Sequence, residues 1–188
     1  MDPKQAECIA LHLIRKYLSS HGEWVFQFDN ALKRFGYCRF RFERTGIRKV
    51  SGKFREHAAV TGGVISLSKP LTELNSEAQV RNTILHEIAH ALCGPFAGHS
   101  ETWRSMARKI GCDAARCYDP EIVVRPPPIY IGICPGCRHQ SHHNSKRKIS
   151  CGRCDDKFNP AFRLKFHKNP EASCPPSSAP CTNGDTHR

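Results

Sequence analysis

What the chain lacks narrows its class before any motif is read. No stretch approaches the ~20 consecutive apolar residues that a membrane-spanning helix needs, so no spanning segment is expected. Met1-Asp2-Pro3-Lys4-Gln5 does not open a secretory signal, which points to an intracellular, reducing compartment. Internal repeats are absent, which excludes a solenoid. Acids are scarce: 17 Asp and Glu stand against 29 Lys and Arg, a net charge of +12 over 188 residues. Such a chain holds about one ordinary domain and a small module. Cysteine, by contrast, is abundant at eleven residues. In a reducing compartment these read as thiols and metal ligands, not as bridges.

The residues present are most informative at His86-Glu87-Ile88-Ala89-His90. On a helix, positions four apart lie about 40° apart around the axis and one turn removed, so both imidazoles can reach one ion. Glu87 projects from the same side, close enough to serve water at that ion. Val80, Ile84, Ile88, Ala91 and Leu92 form a separate apolar stripe that can face a core. Ser76-Glu77-Ala78-Gln79 reads as a capping box, and Gly94-Pro95 as a stop. The expected helix therefore runs from about Glu77 to Cys93.

A catalytic zinc site takes three protein ligands and leaves one position open. Gly94, Pro95 and Gly98 make a tight turn that can return His99 to the helix end, with Glu101 as the competing third ligand. A metzincin pattern does not fit, since Cys93 and Phe96 stand where it requires glycine and histidine. Ser100 is the expected N-cap of a following helix over Glu101–Ile110 that buries Trp103, Met106, Ala107 and Ile110.

The segment from Thr83 to Leu92, with Gly98-His99-Ser100-Glu101-Thr102-Trp103-Arg104-Ser105-Met106 behind it, resembles the SprT-like metalloprotease family, which includes the Spartan proteases. Ser100 departs from the glycine common in Spartan-like members, without touching a ligand. The resemblance covers about residues 5–168. It implies an α+β, zincin-like domain of helices and a small mixed or antiparallel sheet. It assigns His99 as third ligand, with Trp103 at the matching aromatic position. It further implies proteolysis of proteins bound or crosslinked to DNA with little sequence preference, Glu87 moving the proton.

A second metal site is expected at Cys134-Pro135-Gly136-Cys137 and Cys151-Gly152-Arg153-Cys154, two pairs thirteen residues apart (138–150). Four thiolates close a tetrahedral site with no open position, so this zinc should hold structure and not catalyse. Two zinc ions per chain are thus expected. Residues 129–170 carry nine Lys and Arg against two Asp, a net of +7, more than half the chain's excess. A basic ribbon with aromatics can neutralise phosphates and stack unpaired bases. Arg138, Lys146, Arg147, Lys148, Arg153 and Lys157 are the candidate nucleic-acid contacts, DNA with single-stranded character being the expected partner.

The expected organisation is a catalytic domain at 1–125, a proline linker at 126–128, the ribbon at 129–170 and a disordered tail at 171–188. Within the first domain, an amphipathic helix spans Pro3–Leu18, and a short helix around Asp29–Phe35 ends at Gly36. Strict alternation marks a strand over Tyr37–Glu43, and two further strands, near 52–60 and 64–68, are divided by Gly62-Gly63. Cys8, Cys38, Cys93, Cys112, Cys117, Cys174 and Cys181 are read as ordinary thiols. Two other readings stay open: a non-catalytic zinc-containing DNA-binding protein, and a general peptidase whose ribbon binds proteins.

Overall fold

The computed structural model describes residues 1–50, 53–115 and 123–173. Cys117, Cys174, Cys181 and the tail beyond 173 lie outside these residues. The chain divides into two compact units, Met1–Arg125 and Pro126–Arg188.

The first unit is a mixed α+β layer. Helix α1 (Pro3–Leu18) begins at Asp2, whose carboxylate accepts the Gln5 N–H, and buries Ala6, Ala10, Leu13, Ile14 and Leu18. Strand β1 (Glu23–Asp29) pairs in parallel with β3 (Lys53–Ser68), and β2 (Gly36–Val50) pairs antiparallel with β3 on its other side. The sheet order β1-β3-β2 leaves β2 at an edge. Helices α2 (Lys69–Leu74), α3 (Glu77–Cys93) and α4 (Glu101–Lys109) follow. α3 packs against α1, α4, β2 and β3. Ile65 and Leu67 of β3 are buried in this core, whereas Val25 and Tyr37, at the alternate positions, stay exposed.

Three expectations are corrected here. Residues 30–35 form no helix, because the side chain of Asp29 takes over the local backbone. Its carboxylate accepts the Ala31 N–H at 2.9 Å, the Ser66 hydroxyl at 3.0 Å and the Arg34 guanidinium at 2.6 Å. Gly36 accordingly opens β2 and is not a helix cap. Gly62-Gly63 does not divide two strands: β3 runs through, with Arg41 opposite Gly62 and Phe42 opposite Val60, so that Thr61 is an extra residue. Gly62 absorbs this irregularity at φ 135°, and a Cβ there would collide with the Glu23 carbonyl. Finally, β1 and α2 lie where no element was expected.

In the second unit, β4 (Tyr130–Ile133) pairs antiparallel with β5 (Gln140–His143) and with β6 (Lys165–Lys168). Its core is small: Cys134, Cys151 and Leu164 are buried, with Ile149, Cys154, Phe162 and Phe166 packed around them. Pro170–Ser173, of which residues 171–173 were expected in the tail, form a short 3-10 turn. Among the described residues no helix is long and apolar enough to cross a membrane.

Candidate metal centres

Helix α3 carries the first site. Its capping box is complete: the Ser76 hydroxyl accepts the Gln79 N–H at 3.4 Å, and the Gln79 side chain accepts the Ser76 N–H at 2.9 Å. The helix ends at Gly94, whose N–H donates to the His90 carbonyl at 3.0 Å. Val80, Ile84 and Ile88 are buried, which aims His86 and His90 away from the apolar stripe. A short turn over 94–99 returns His99 to them, and Ser100 then caps α4.

The three imidazoles converge. The Nε2 atoms of His90 and His99 lie 3.2 Å apart, and those of His99 and His86 lie 3.1 Å apart. Zinc–nitrogen bonds of ~2.0–2.1 Å in a tetrahedron place donors about 3.3 Å apart, so the spacing fits one shared ion. The donor chemistry agrees: one neutral imidazole nitrogen cannot give a proton to both neighbours, but three lone pairs can share a cation. Glu101, the competing ligand, instead faces Arg104 and Arg108 at 3.5 and 3.3 Å. Trp103 is fully buried beneath the cluster. Its ring centroid lies 4.6 Å from that of His86, 5.2 Å from His90 and 4.5 Å from His99, so one side chain touches all three ligands.

Electrostatics hold the imidazoles neutral. Burial, aided by the neighbouring histidines, lowers His86 and His90 to about 4. Glu87 is buried beside them, and burial pushes its carboxyl up to about 8 against the pull of Arg34 and of the Cys38 N–H that it accepts. Burial and the Glu87 charge push the Cys38 thiol up to about 12. Sequence reasoning did not reach Gly36, Cys38 and Arg34 in this role. Gly36 is required here because a Cβ would sit 2.6 Å from Glu87 Oε1 and 2.8 Å from Thr83 Cγ2. The glycine was visible in sequence, but its reason was not.

Gly36, Cys38, His86, Glu87, His90 and His99 line a cleft of about 620 Å³ between α3, the 94–99 turn and β2. A family model for the SprT-like family matches residues 9–122. The chain belongs to the SprT-like family. No curated protein and no solved structure matches it. The SprT-like match runs from within α1 through α4 and ends before the second unit begins, so the ribbon rests on its own residues.

The second site gathers Cys134, Cys137, Cys151 and Cys154, all four sulfurs within 4.8 Å of one another. Cys134–Cys154 and Cys137–Cys151 are 3.7 and 3.6 Å apart, close to the ~3.8 Å edge of a tetrahedron with zinc–sulfur bonds of ~2.3 Å. Burial opposes the Cys134 thiolate, but the N–H groups of Cys137 and Gly136 turned on its sulfur prevail and bring it down to about 7.

The six candidate nucleic-acid residues do not share one place. Lys146, Arg147 and Lys148 line a groove of about 730 Å³ together with Arg163, Lys165 and Phe166. Arg138, Arg153 and Lys157 are exposed but lie outside that lining. Arg163 and Lys165 are the cations that sequence reasoning left out of the site. They reach it because the chain folds back at Ser150–Arg163, where the two residues form a bridge.

Proposed function

We propose that this SprT-like chain is an intracellular, zincin-like zinc endopeptidase that acts on proteins bound or crosslinked to DNA. The observation that carries the reading is the convergence of three imidazole nitrogens at 3.1–3.2 Å beside a buried carboxylate and an open sheet edge. A zinc ion held by His86, His90 and His99 supplies Lewis acidity, lowering the pKa of water from ~15.7 toward ~7. Glu87 takes a proton at its carboxylate as water attacks the scissile carbonyl, and gives it to the leaving amine. Its burial keeps its proton affinity near neutrality, as that exchange requires. The Cys38 N–H and the Arg34 charge hold the carboxylate ready as acceptor. The free edge of β2 offers unpaired backbone groups to an extended substrate, which can lie as an added strand past Glu87.

The second unit gives the reading its DNA component. Its four-thiolate site fits a structural zinc, and the groove between Lys146–Lys148 and Arg163–Lys165 offers five cations with Phe166 for stacking. Binding there raises the local concentration of DNA-bound protein at the cleft. The experiment is proteolysis of a histone-like protein by the zinc-loaded full chain, with and without single-stranded DNA. Glu87→Gln should slow cleavage by about 10²–10⁴-fold while retaining both zinc ions, and DNA should stimulate the wild type. Equal activity without DNA removes the DNA component. Intact activity in Glu87→Gln removes the peptidase.

A further inference from the structure

The cleft continues past the metal site along β2 in a direction the reaction chemistry does not use. Cys38, Phe40 and Phe42 follow one another at strand spacing along β2, and all three line the cleft. Cys38 lies at Glu87, so Phe40 and Phe42 stand progressively farther along the edge from the proton-carrying group. Phe40 is fixed in place. Trp24 lies across Gly63, where a Cβ would meet its Cζ3 at 2.7 Å, and meets Phe40 edge-on with ring centroids 5.6 Å apart. The Trp24 indole N–H is anchored on the His21 carbonyl at 2.9 Å. Phe42 packs obliquely on Phe40 at 6.4 Å and leaves half of its surface in solvent.

The backbone at the same place faces outward. Ser68 donates its N–H to the Phe35 carbonyl at 2.8 Å, and backbone direction alternates along an antiparallel ladder, so the N–H of Cys38, opposite Ile65, turns away from β3. Phe40, two residues on and opposite Gly63, therefore also presents its N–H and C=O to the open edge. A peptide paired there sets alternate side chains on the face that Phe40 and Phe42 occupy. Aromatic surface held rigid beside unpaired backbone is a recognition element: the backbone binds any extended chain, and the wall selects among side chains.

We propose that Phe40 and Phe42 form a specificity wall that receives an apolar or aromatic side chain of the extended substrate near the scissile bond. The inference rests on the peptidase reading, and it departs from the little sequence preference implied by the Spartan resemblance. A polar residue at that position forfeits apolar burial, which in an open hydrophobic site separates substrates by roughly 10-fold.

The test uses zinc-loaded full chain and peptides in a Gly/Ala/Ser background, each with one guest residue (Phe, Leu or Ser) scanned along the sequence. Wild type should cleave the best-placed Phe or Leu peptide about 10-fold more efficiently in kcat/KM than its Ser counterpart. Phe42→Ser and Phe40→Ala should collapse that ratio toward one. Val25→Ser, an exposed position on the opposite face, should leave it unchanged. Phe42→Ser carries the test if Phe40→Ala disturbs folding, because Phe42 is already half in solvent. In parallel, anisotropy of the same labelled peptides on the Glu87→Gln chain reads binding without cleavage. A ratio that survives both substitutions, or is absent in the wild type, overturns the wall and leaves the peptidase standing. Selective binding that depends on Phe42, with no cleavage of any peptide by the wild type, overturns the peptidase and leaves the wall.

Discussion

The two donor clusters contrast in how they are built. Three nitrogens converge in the first and leave a tetrahedron one corner short, facing a 620 Å³ cleft; four sulfurs close the second. The histidine site draws on α3, the 94–99 turn, Trp103 of α4 and the β2 edge, and so depends on a large apolar core. The cysteine site is made by two knuckles within 21 residues (134–154) and rests on a core of three buried side chains. An open site requires a scaffold that stands without the ion, whereas a closed one can be the scaffold itself.

Breaking the ribbon should have the largest effect. Cys151→Ser in the full chain removes a ligand from a site whose metal-binding free energy, on the order of 10–16 kcal/mol, doubles as folding energy. Metal analysis should fall by one zinc, and amide NMR should lose the dispersed signals of residues 129–170 while those of α3 persist. Simultaneous loss of both sets would mean that the units do not fold independently. His90→Asn is the converse: one zinc is lost and the ribbon signals stay. Glu87→Gln comes next, lowering kcat by about 10²–10⁴-fold with zinc content unchanged. Trp103→Ala should destabilise the first unit by about 3–5 kcal/mol on thermal or denaturant unfolding and weaken zinc binding there, because all three ligand rings rest on that indole. Gly36→Ala should cost about 1–3 kcal/mol by overpacking and displace Glu87, so that kcat falls while the ribbon is untouched.

The smallest effect separates the sites by acid. His86 and His90 have folded values of about 4, below the ordinary 6.5, so they stay neutral where an unfolded chain would bind protons. Stability from that region is therefore present above 6.5 and is lost as pH falls from about 6.5 toward about 4. Ligation needs the same neutral rings, so zinc should be held through that window and leave the histidine site only as pH falls through about 4. A chromophoric chelator measures the release. Zinc released already near pH 6.5, or held unchanged well below pH 4, would count against buried, neutral imidazole ligands.

Periodicity and capping made α1, α3 and α4 legible. Ser76 with Gln79, Ser100, and the apolar spacing of α3 are local signals, and the observed limits of α3 match them. The metal donors were legible for the same reason: i, i+4 histidines and CxxC pairs encode their own geometry. The 30–35 segment was misread because its conformation depends on Asp29 meeting Ser66 and Arg34, a contact across the sheet that no local pattern records. Gly62-Gly63 was misread because a bulge and a strand break share the same residues. The groove cations Arg163 and Lys165 were passed over because only the return of the chain at Ser150–Arg163 brings them to Lys146–Lys148.

Sequence by itself determined the donor types, their spacing and the helix that presents two of them, since these follow from chain geometry over a few residues. Tertiary structure brought His99, which the resemblance had assigned, within reach of the two helix histidines and turned Glu101 to Arg104 and Arg108, set Gly36 beneath Glu87, and laid Phe40 and Phe42 along the open edge of the cleft. Each of those outcomes depends on which surfaces pack together across the core, and packing joins residues whose separation along the chain carries no signal.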